Sequence, residues 1–334
     1  MLTIIIIILG ISFLLYTLLG GADFGAGIIE TFTGSKESKT VSKAMAPVWE
    51  ANHVWLILAV VIMFTGFPKV YAAISLSLHI PLMVALMGIV LRGSAFIFRF
   101  YNVSDDGSMD KYFTVFFKLS SLITPVFLGI IFGAMTLGRV SLNNSGSFYE
   151  QFIFPWCNIF CFTFGLFLAS LFAYIAAVFL IGETENKSEQ KKYIRLSLTF
   201  LLLTFTLALF VFVTAELQNQ HLFNKLFTHS LSTGAFGIAF LLIPAIIYLF
   251  RHPTIFYLRA AISLQVTLVL LGWFAMNFPV MLYEKNGNHL SFLNAHVPDA
   301  TLYQLLIALL VGLVLIIPSF YFLFKVFKKT KGLQ

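Results

Sequence analysis

Charge is scarce in this chain. Asp, Glu, Lys and Arg make up 10% of its 334 residues, against about 25% in a soluble globular domain. Hydrophobic residues make up 59%, and so little polar side chain cannot cover so much apolar surface in water. A water-solvated domain is excluded. Cysteine is almost absent as well. Cys157 and Cys161 are too few for a disulfide framework and, four residues apart, cannot close a metal site alone. They read as small buried packing residues. No linker, low-complexity tract or composition shift divides the chain, so residues 1–334 are expected to form a single transmembrane domain. The start, Met1-Leu2-Thr3, lacks a positive stretch, and no small-residue cleavage site follows. The first apolar segment is therefore expected to stay as an anchor rather than leave as a signal peptide.

What is present is a succession of apolar runs of the roughly 20 residues that a transmembrane helix needs. They fall near 3–22, 53–68, 73–98, 113–137, 159–181, 194–215, 230–250, 259–282 and 302–324. Runs such as Ile4–Leu9 and Leu305–Ile317 do not alternate, which excludes a membrane barrel. The expected fold is an all-α integral membrane protein with about nine transmembrane helices. Phe67-Pro68 and Phe278-Pro279 stand at corresponding span ends, a weak sign of a pseudo-repeat of spans 1–4 and 5–8 with a ninth span added. The 39 phenylalanines are expected to face lipid and fill the core.

The formal net charge of +7 concerns topology rather than nucleic acid, because the basic residues sort by side. Alternate loops carry Lys36, Lys39 and Lys43; Arg99, Lys111 and Lys118; Lys187, Lys191, Lys192 and Arg195; Arg251 and Arg259; and Lys325, Lys328, Lys329 and Lys331. The intervening loops hold only Lys69, Arg139, Lys225 and Lys285, and Arg92 alone lies inside a span. The amino terminus is therefore expected outside and the carboxyl terminus in the cytoplasm. The basic loops are expected to touch anionic lipid heads. No nucleic-acid partner is expected.

An ionisable group near the bilayer centre costs at least about 2.5–3.5 kcal/mol on insertion scales, so such groups mark candidate function. Those within or beside spans are Asp23, Glu50, His53, His79, Arg92, Arg99 and Glu216. Asp23, Glu50, His53 and Arg92 share the basic half, and Arg99 follows Arg92 by seven residues on the same helix face. Glu50 and His53 share a face by their i,i+3 spacing. Asp23 lies in Gly20-Gly21-Ala22-Asp23-Phe24-Gly25-Ala26-Gly27, where Gly21 and Gly25 form a small-xxx-small pair that admits a close helix. Carboxylates and histidine in series can pass protons inward. Against that stand plainer readings. Pro47 as a first helical residue would put Glu50 in a first turn, where the helix dipole favours an acid. Asp23 and Arg92 could be a structural ion pair. Trp49, Asn52 and Trp55 beside them could hold water or merely cap and pack. His79 and His229 are the candidates for haem ligation, although isolated helix histidines are more often hydrogen-bonded packing groups.

Pro47-Val48-Trp49-Glu50-Ala51-Asn52-His53-Val54-Trp55-Leu56 resembles the Trp-acid-x-Asn-x-Val-Trp-Leu block of subunit II of cytochrome bd-type quinol oxidases. The Asp23 segment resembles the Gly-Phe-Asp-Leu-Gly-Val-Gly stretch that ends the family's first helix, with Ala22 in place of Phe. Phe67-Pro68-Lys69-Val70-Tyr71-Ala72 and Leu91-Arg92-Gly93-Ser94-Ala95-Phe96-Ile97-Phe98-Arg99 follow in the family's order, and Gly272-Trp273, Phe278-Pro279 and Pro318 also fit. Glu50 stands where many members have Asp. The resemblance implies a multi-pass protein of the bacterial cytoplasmic membrane, half of an enzyme that oxidises quinol and reduces dioxygen to water. It implies a partner, subunit I, carrying two haem b groups, haem d and the quinol site, with no haem and no metal on this chain alone. Asp23 and Glu50 match the positions assigned to proton delivery, with His53, Arg92 and Arg99 beside them. A small accessory subunit, the choice of ubiquinol or menaquinol, and a structural quinone or lipid seated in this chain are left open.

Two other readings are weaker. A proton-coupled transporter should have broken helices at mid-membrane in corresponding halves, whereas Pro47, Pro68 and Pro279 stand at span ends. A free-standing haem carrier would rest on His79 and His229 alone. The charge sorting is tested by labelling. Cysteines introduced at Ser188 or Ser38 should resist a membrane-impermeant reagent on intact cells, and one at Asn288 should react. Equal labelling of Ser188 and Asn288 would refute the helix count.

Overall fold

The computed structural model describes residues 1–33, 35–101, 108–141, 146–184, 186–252, 254–285 and 287–331. Within them, the side chains at 35–40, 42–48, 50, 100–101, 108–110, 323–324 and 326–331 lie outside the description. The helices are α1 (Leu2–Phe32), α2 (Ser35–Gly66), α3 (Pro68–Ser77), α4 (His79–Tyr101), α5 (Ser108–Leu137), α6 (Phe148–Phe152), α7 (Ile159–Ile181), α8 (Lys187–Leu217), α9 (Leu222–Thr228), α10 (Ser230–Arg251), α11 (Ile255–Asn277) and α12 (Asp299–Lys331). Among the described residues, eight helices are by themselves long and apolar enough to cross a membrane, and α2 with its continuation α3, bent by 111°, makes a ninth.

The expected order of spans holds, but their bounds move. α1 and α2 have 31 and 32 residues, roughly 45–50 Å at 1.5 Å per residue, well beyond a hydrocarbon core of about 30 Å. Asp23 is thus inside α1 rather than at its end. Pro47 and Glu50 fall inside α2 rather than in its first turn, so the dipole explanation of Glu50 falls away. The span expected at 73–98 is divided, since α3 ends at Ser77 and α4 begins at His79. Pro68 opens α3 at a position where its missing N–H costs nothing. The span expected to reach 282 stops at Asn277, where a short antiparallel pair follows, β1 (Val280–Tyr283) and β2 (His289–Ser291). A purely helical reading missed this hairpin because four apolar residues in a row do not distinguish strand from helix.

α7 lies at the centre and is buried on nearly every side, as expected of a helix that is apolar all round. It reaches that place through glycine. A Cβ at Gly25 of α1 would stand 1.9 Å from the Phe172 carbonyl oxygen of α7, and one at Gly165 would stand 2.5 Å from the Val126 carbonyl oxygen of α5. Lipid offers no hydrophobic drive between helices, so such close backbone approach supplies the packing. α12 by contrast is exposed along most of its length, touching α2 mainly and α1 lightly. Cys161 is buried as expected, but Cys157 is exposed. It sits in the connection before α7, outside the packed face, so its reading as a packing residue does not hold.

The loops that carry Lys69, Arg139, Lys225 and Lys285 all meet at one end of the bundle. The Val297 N–H donates to the Gly66 carbonyl, Lys285 N–H to the Val140 carbonyl and Gln220 Nε2 to the Leu137 carbonyl. Arg139 donates to Gln218 and lies over the Phe154 ring. Lys225 Nζ stands 4.6 Å from the centre of the Tyr283 ring, a cation–π contact. Partial burial pulls this lysine below its usual range and pushes the tyrosine above its own. The charge-poor segments thus form a joined cap, and the described basic groups Arg99 and Arg259, paired with Glu30 and Glu183, lie toward the other end.

Overpacking tests the central crossing. Gly25→Val should lower the thermal midpoint and the yield, by about 1–3 kcal/mol or more, because the added carbon must displace the α7 backbone. Gly237→Ala, with nothing within 4 Å of its would-be Cβ, should leave both unchanged.

Candidate functional site

α1, α2, α4 and α5 converge on one buried ion pair. Arg92 of α4 donates from Nη2 to Asp23 Oδ1 at 2.5 Å and from Nη1 to Oδ2 at 2.6 Å, and Nη2 also reaches the Asp23 carbonyl at 2.7 Å. The two side chains are 1% and 0% exposed. Such a fork of charge-assisted bonds fixes both groups in distance and in plane. Asn52 Nδ2 of α2 donates to Asp23 Oδ2 at 2.9 Å, and the Arg92 Nε donates to Ser121 Oγ of α5 at 3.1 Å. Phe24 and Phe117 cover the guanidinium, with ring centres 4.7 and 5.0 Å from its carbon. Gly27 makes room for Ser121, because a Cβ there would stand 2.1 Å from the Ser121 hydroxyl.

Two turns further toward the basic end a second pair repeats the arrangement. Arg99 donates to both Glu30 oxygens at 3.1–3.3 Å and lies 4.6 Å over the same Phe117 ring. The acids stand seven residues apart on α1 and the arginines seven apart on α4. Two helices running the same way therefore meet in register, with Phe117 between the rungs.

Sequence reading found Asp23, Asn52, Arg92 and Arg99, and the structure brings them together. It missed Glu30, although the equal spacing of acids and arginines was a readable signal. Ser121, Phe24 and Phe117 left no signal, since only the fold carries α5 to this point. His53 is half-buried, with Nδ1 3.1 Å from the Trp49 carbonyl and its ring against the Trp49 indole. Trp49 also packs on Phe96 of α4. Trp55 is buried against Phe320 of α12 and serves packing. Glu50 belongs to the same turn of α2 as Trp49 and His53, but its side chain lies outside the described residues. His79 and His229 are the first residue of α4 and the residue before α10. His79 Nδ1 lies 2.9 Å from the Leu76 carbonyl, and His229 is exposed. Among the described residues there is no group of three or more His, Cys, Asp or Glu able to hold a metal.

A long-helix membrane bundle with an apolar exterior and buried acid–arginine rungs at one end defines a multi-span integral membrane protein with a polar site inside it. The sequence profile of the family described as cytochrome bd terminal oxidase subunit II matches residues 1–327, and the chain belongs to that family. It is similar to the cytochrome bd ubiquinol oxidase subunit 2 of Bacillus subtilis, 32% identical over 141 residues, and to the cytochrome bd-I ubiquinol oxidase subunit 2 of Escherichia coli K12, 26% identical over 141 residues. Each alignment covers 40% of this chain, with 39% and 35% of the two relatives. A putative cytochrome bd menaquinol oxidase subunit II of Bacillus subtilis matches at 23% identity over 97% of this chain and 94% of its own. In fold the chain resembles a chain of the bd oxidase of Geobacillus thermodenitrificans, with a TM-score of 0.78, 98% of each chain covered and 23% identity.

The rungs predict a non-additive pattern. Arg92→Met, which strands Asp23 without its cation, should cost about 3–5 kcal/mol and lower the thermal midpoint. Combining it with Asp23→Leu should recover most of the loss. A double variant no more stable than Arg92→Met would show that the pair is uncoupled.

Proposed function

We propose that this chain is the haem-free half of a quinol:dioxygen oxidoreductase and that it supplies protons from its basic end to oxygen reduction in a partner, subunit I. Reducing dioxygen to water consumes protons as well as electrons, and a site within a membrane needs polar groups to deliver them. The observation that carries the reading is the polar cluster of Asp23, Asn52, Arg92 and His53, held with the Glu30–Arg99 pair inside an otherwise apolar bundle. The Asp23 carboxylate takes two hydrogen bonds from Arg92 and a third from Asn52. Its protonation would leave a buried guanidinium unpaired, so Asp23 serves as the fixed negative charge of the route. Glu50 and His53 are the groups that take up and pass on the proton, and the Glu30–Arg99 rung orders the approach.

The haem b groups, haem d and the quinol site are assigned to subunit I. On this chain His79 and His229 sit at helix starts and do not offer a buried pair of facing imidazoles. The basic end, facing the cytoplasm by the distribution of Lys and Arg, is the side from which protons are drawn. An open apolar cleft between α10 and α11, lined by Leu242, Ala245, Tyr248, Tyr257, Ala261 and Leu264, offers a seat for a lipid or quinone tail.

Turnover per haem in the assembled complex tests the route. Glu50→Gln keeps size and polarity but removes the exchangeable carboxyl proton, and should assemble with normal haem content yet lose most oxygen consumption. Glu50→Asp should retain more. Unaltered turnover per haem in Glu50→Gln would remove the proton-delivery reading.

A further inference from the structure

α1 carries a polar line beyond Asp23, away from the basic end. Tyr16 lies seven residues before Asp23, roughly 10 Å along the helix axis, and is 6% exposed. Its hydroxyl is buried and has no hydrogen-bond partner among the described residues. The same is true of the Asn52 amide oxygen, whose Nδ2 is committed to Asp23. The edge of the Tyr16 ring and Asn52 Oδ1 both lie beside Gly20. A Cβ built there would stand 3.4–3.5 Å from the Tyr16 ring and 3.6 Å from Asn52 Oδ1. The missing side chain therefore leaves a notch with the ring edge on one side and a bare acceptor on the other. A bare acceptor against a small space, with an unpartnered buried hydroxyl on the ring that walls it, is the circumstance in which proteins hold internal water.

We infer that the Gly20 notch is a binding site for a water molecule linking Asn52 Oδ1 to the Tyr16 hydroxyl, so that Tyr16 extends the Asp23 network toward the bilayer centre. Asn52 Oδ1 only accepts, so the water donates to it. The Tyr16 hydroxyl both donates and accepts, so the link continues in either direction without a change in the charge of any group. The hydration site stands on this geometry, while its part in turnover rests on the proton-delivery reading above. Tyr16 is a positioning residue in this scheme, holding the water rather than meeting the reacting atoms.

Gly20→Ala is the informative variant. Its methyl group would meet its neighbours at ordinary contact distances, in a helix that alanine favours, so the fold tolerates it while the notch is filled. Radiolytic footprinting of the purified two-subunit complex, in which radicals formed from bound water oxidise the nearest side chain, should label Tyr16. In Gly20→Ala the label should fall severalfold at unchanged haem content and thermal midpoint. No label on Tyr16, or equal label in Gly20→Ala, would overturn the hydration site. Turnover per haem should fall severalfold in both Gly20→Ala and Tyr16→Phe, with an altered solvent isotope effect. If both keep wild-type turnover while Glu50→Gln loses it, the notch is no part of the route and the proton-delivery reading stands. If Glu50→Gln keeps its turnover, that reading fails by itself, and the footprint still decides whether the water is bound.

Discussion

A carboxylate and a guanidinium buried together at 0% and 1% exposure set the terms for the rest of this molecule. Neither can stay ionised in an apolar interior without the other, and removing two charges from water is repaid only if every remaining donor and acceptor is met. That requirement draws four helices to one point. α1 supplies the acid, α4 the base, α2 an amide donor and α5 a hydroxyl acceptor and an aromatic cover. The geometry is demanding because the guanidinium is planar and must meet the carboxylate edge on. A shift of α4 by one residue would turn Arg92 off its partner and Arg99 with it.

The close helix packing and the polar site are one arrangement. Gly25 lets α1 lie against α7, and Gly27, two residues on, leaves the space in which the Ser121 hydroxyl supports Arg92. The glycines around Asp23 therefore do two things at once. They let backbones touch where lipid gives no other reason to associate, and they make room for the small polar groups that complete the charged pair.

Much of this was legible in the sequence for simple reasons. Apolar run length reports a spanning helix directly, and the sorting of Lys and Arg reports which loops share a side. The charge-poor loops do bond to one another at one end of the bundle. An acid or arginine inside an apolar run is conspicuous, which is why Asp23 and Arg92 stood out. Helix ends were less legible, because α1 runs on through the glycines and acids around Asp23 and α2 begins on a polar segment that forms helix without needing lipid. The hairpin at Val280–Ser291 was hidden in what looked like the end of a span. Glu30 was passed over because it falls beyond the apolar run of α1, and its burial depends on α4 and α5 reaching the same level. Tyr16 was invisible for the opposite reason, since a tyrosine in an apolar helix is ordinary until the space around its hydroxyl is known.

The two members of the buried pair are 69 residues apart in the chain, and this has a bearing on how the protein is made. The acid leaves the ribosome in the first helix, whereas the arginine arrives only with the third crossing. Until then the acid of the first helix is without the cation that it meets in the folded chain. The pair can therefore close only after three crossings have been made, so the packing of α1 against α4 is among the later events in the assembly of the bundle.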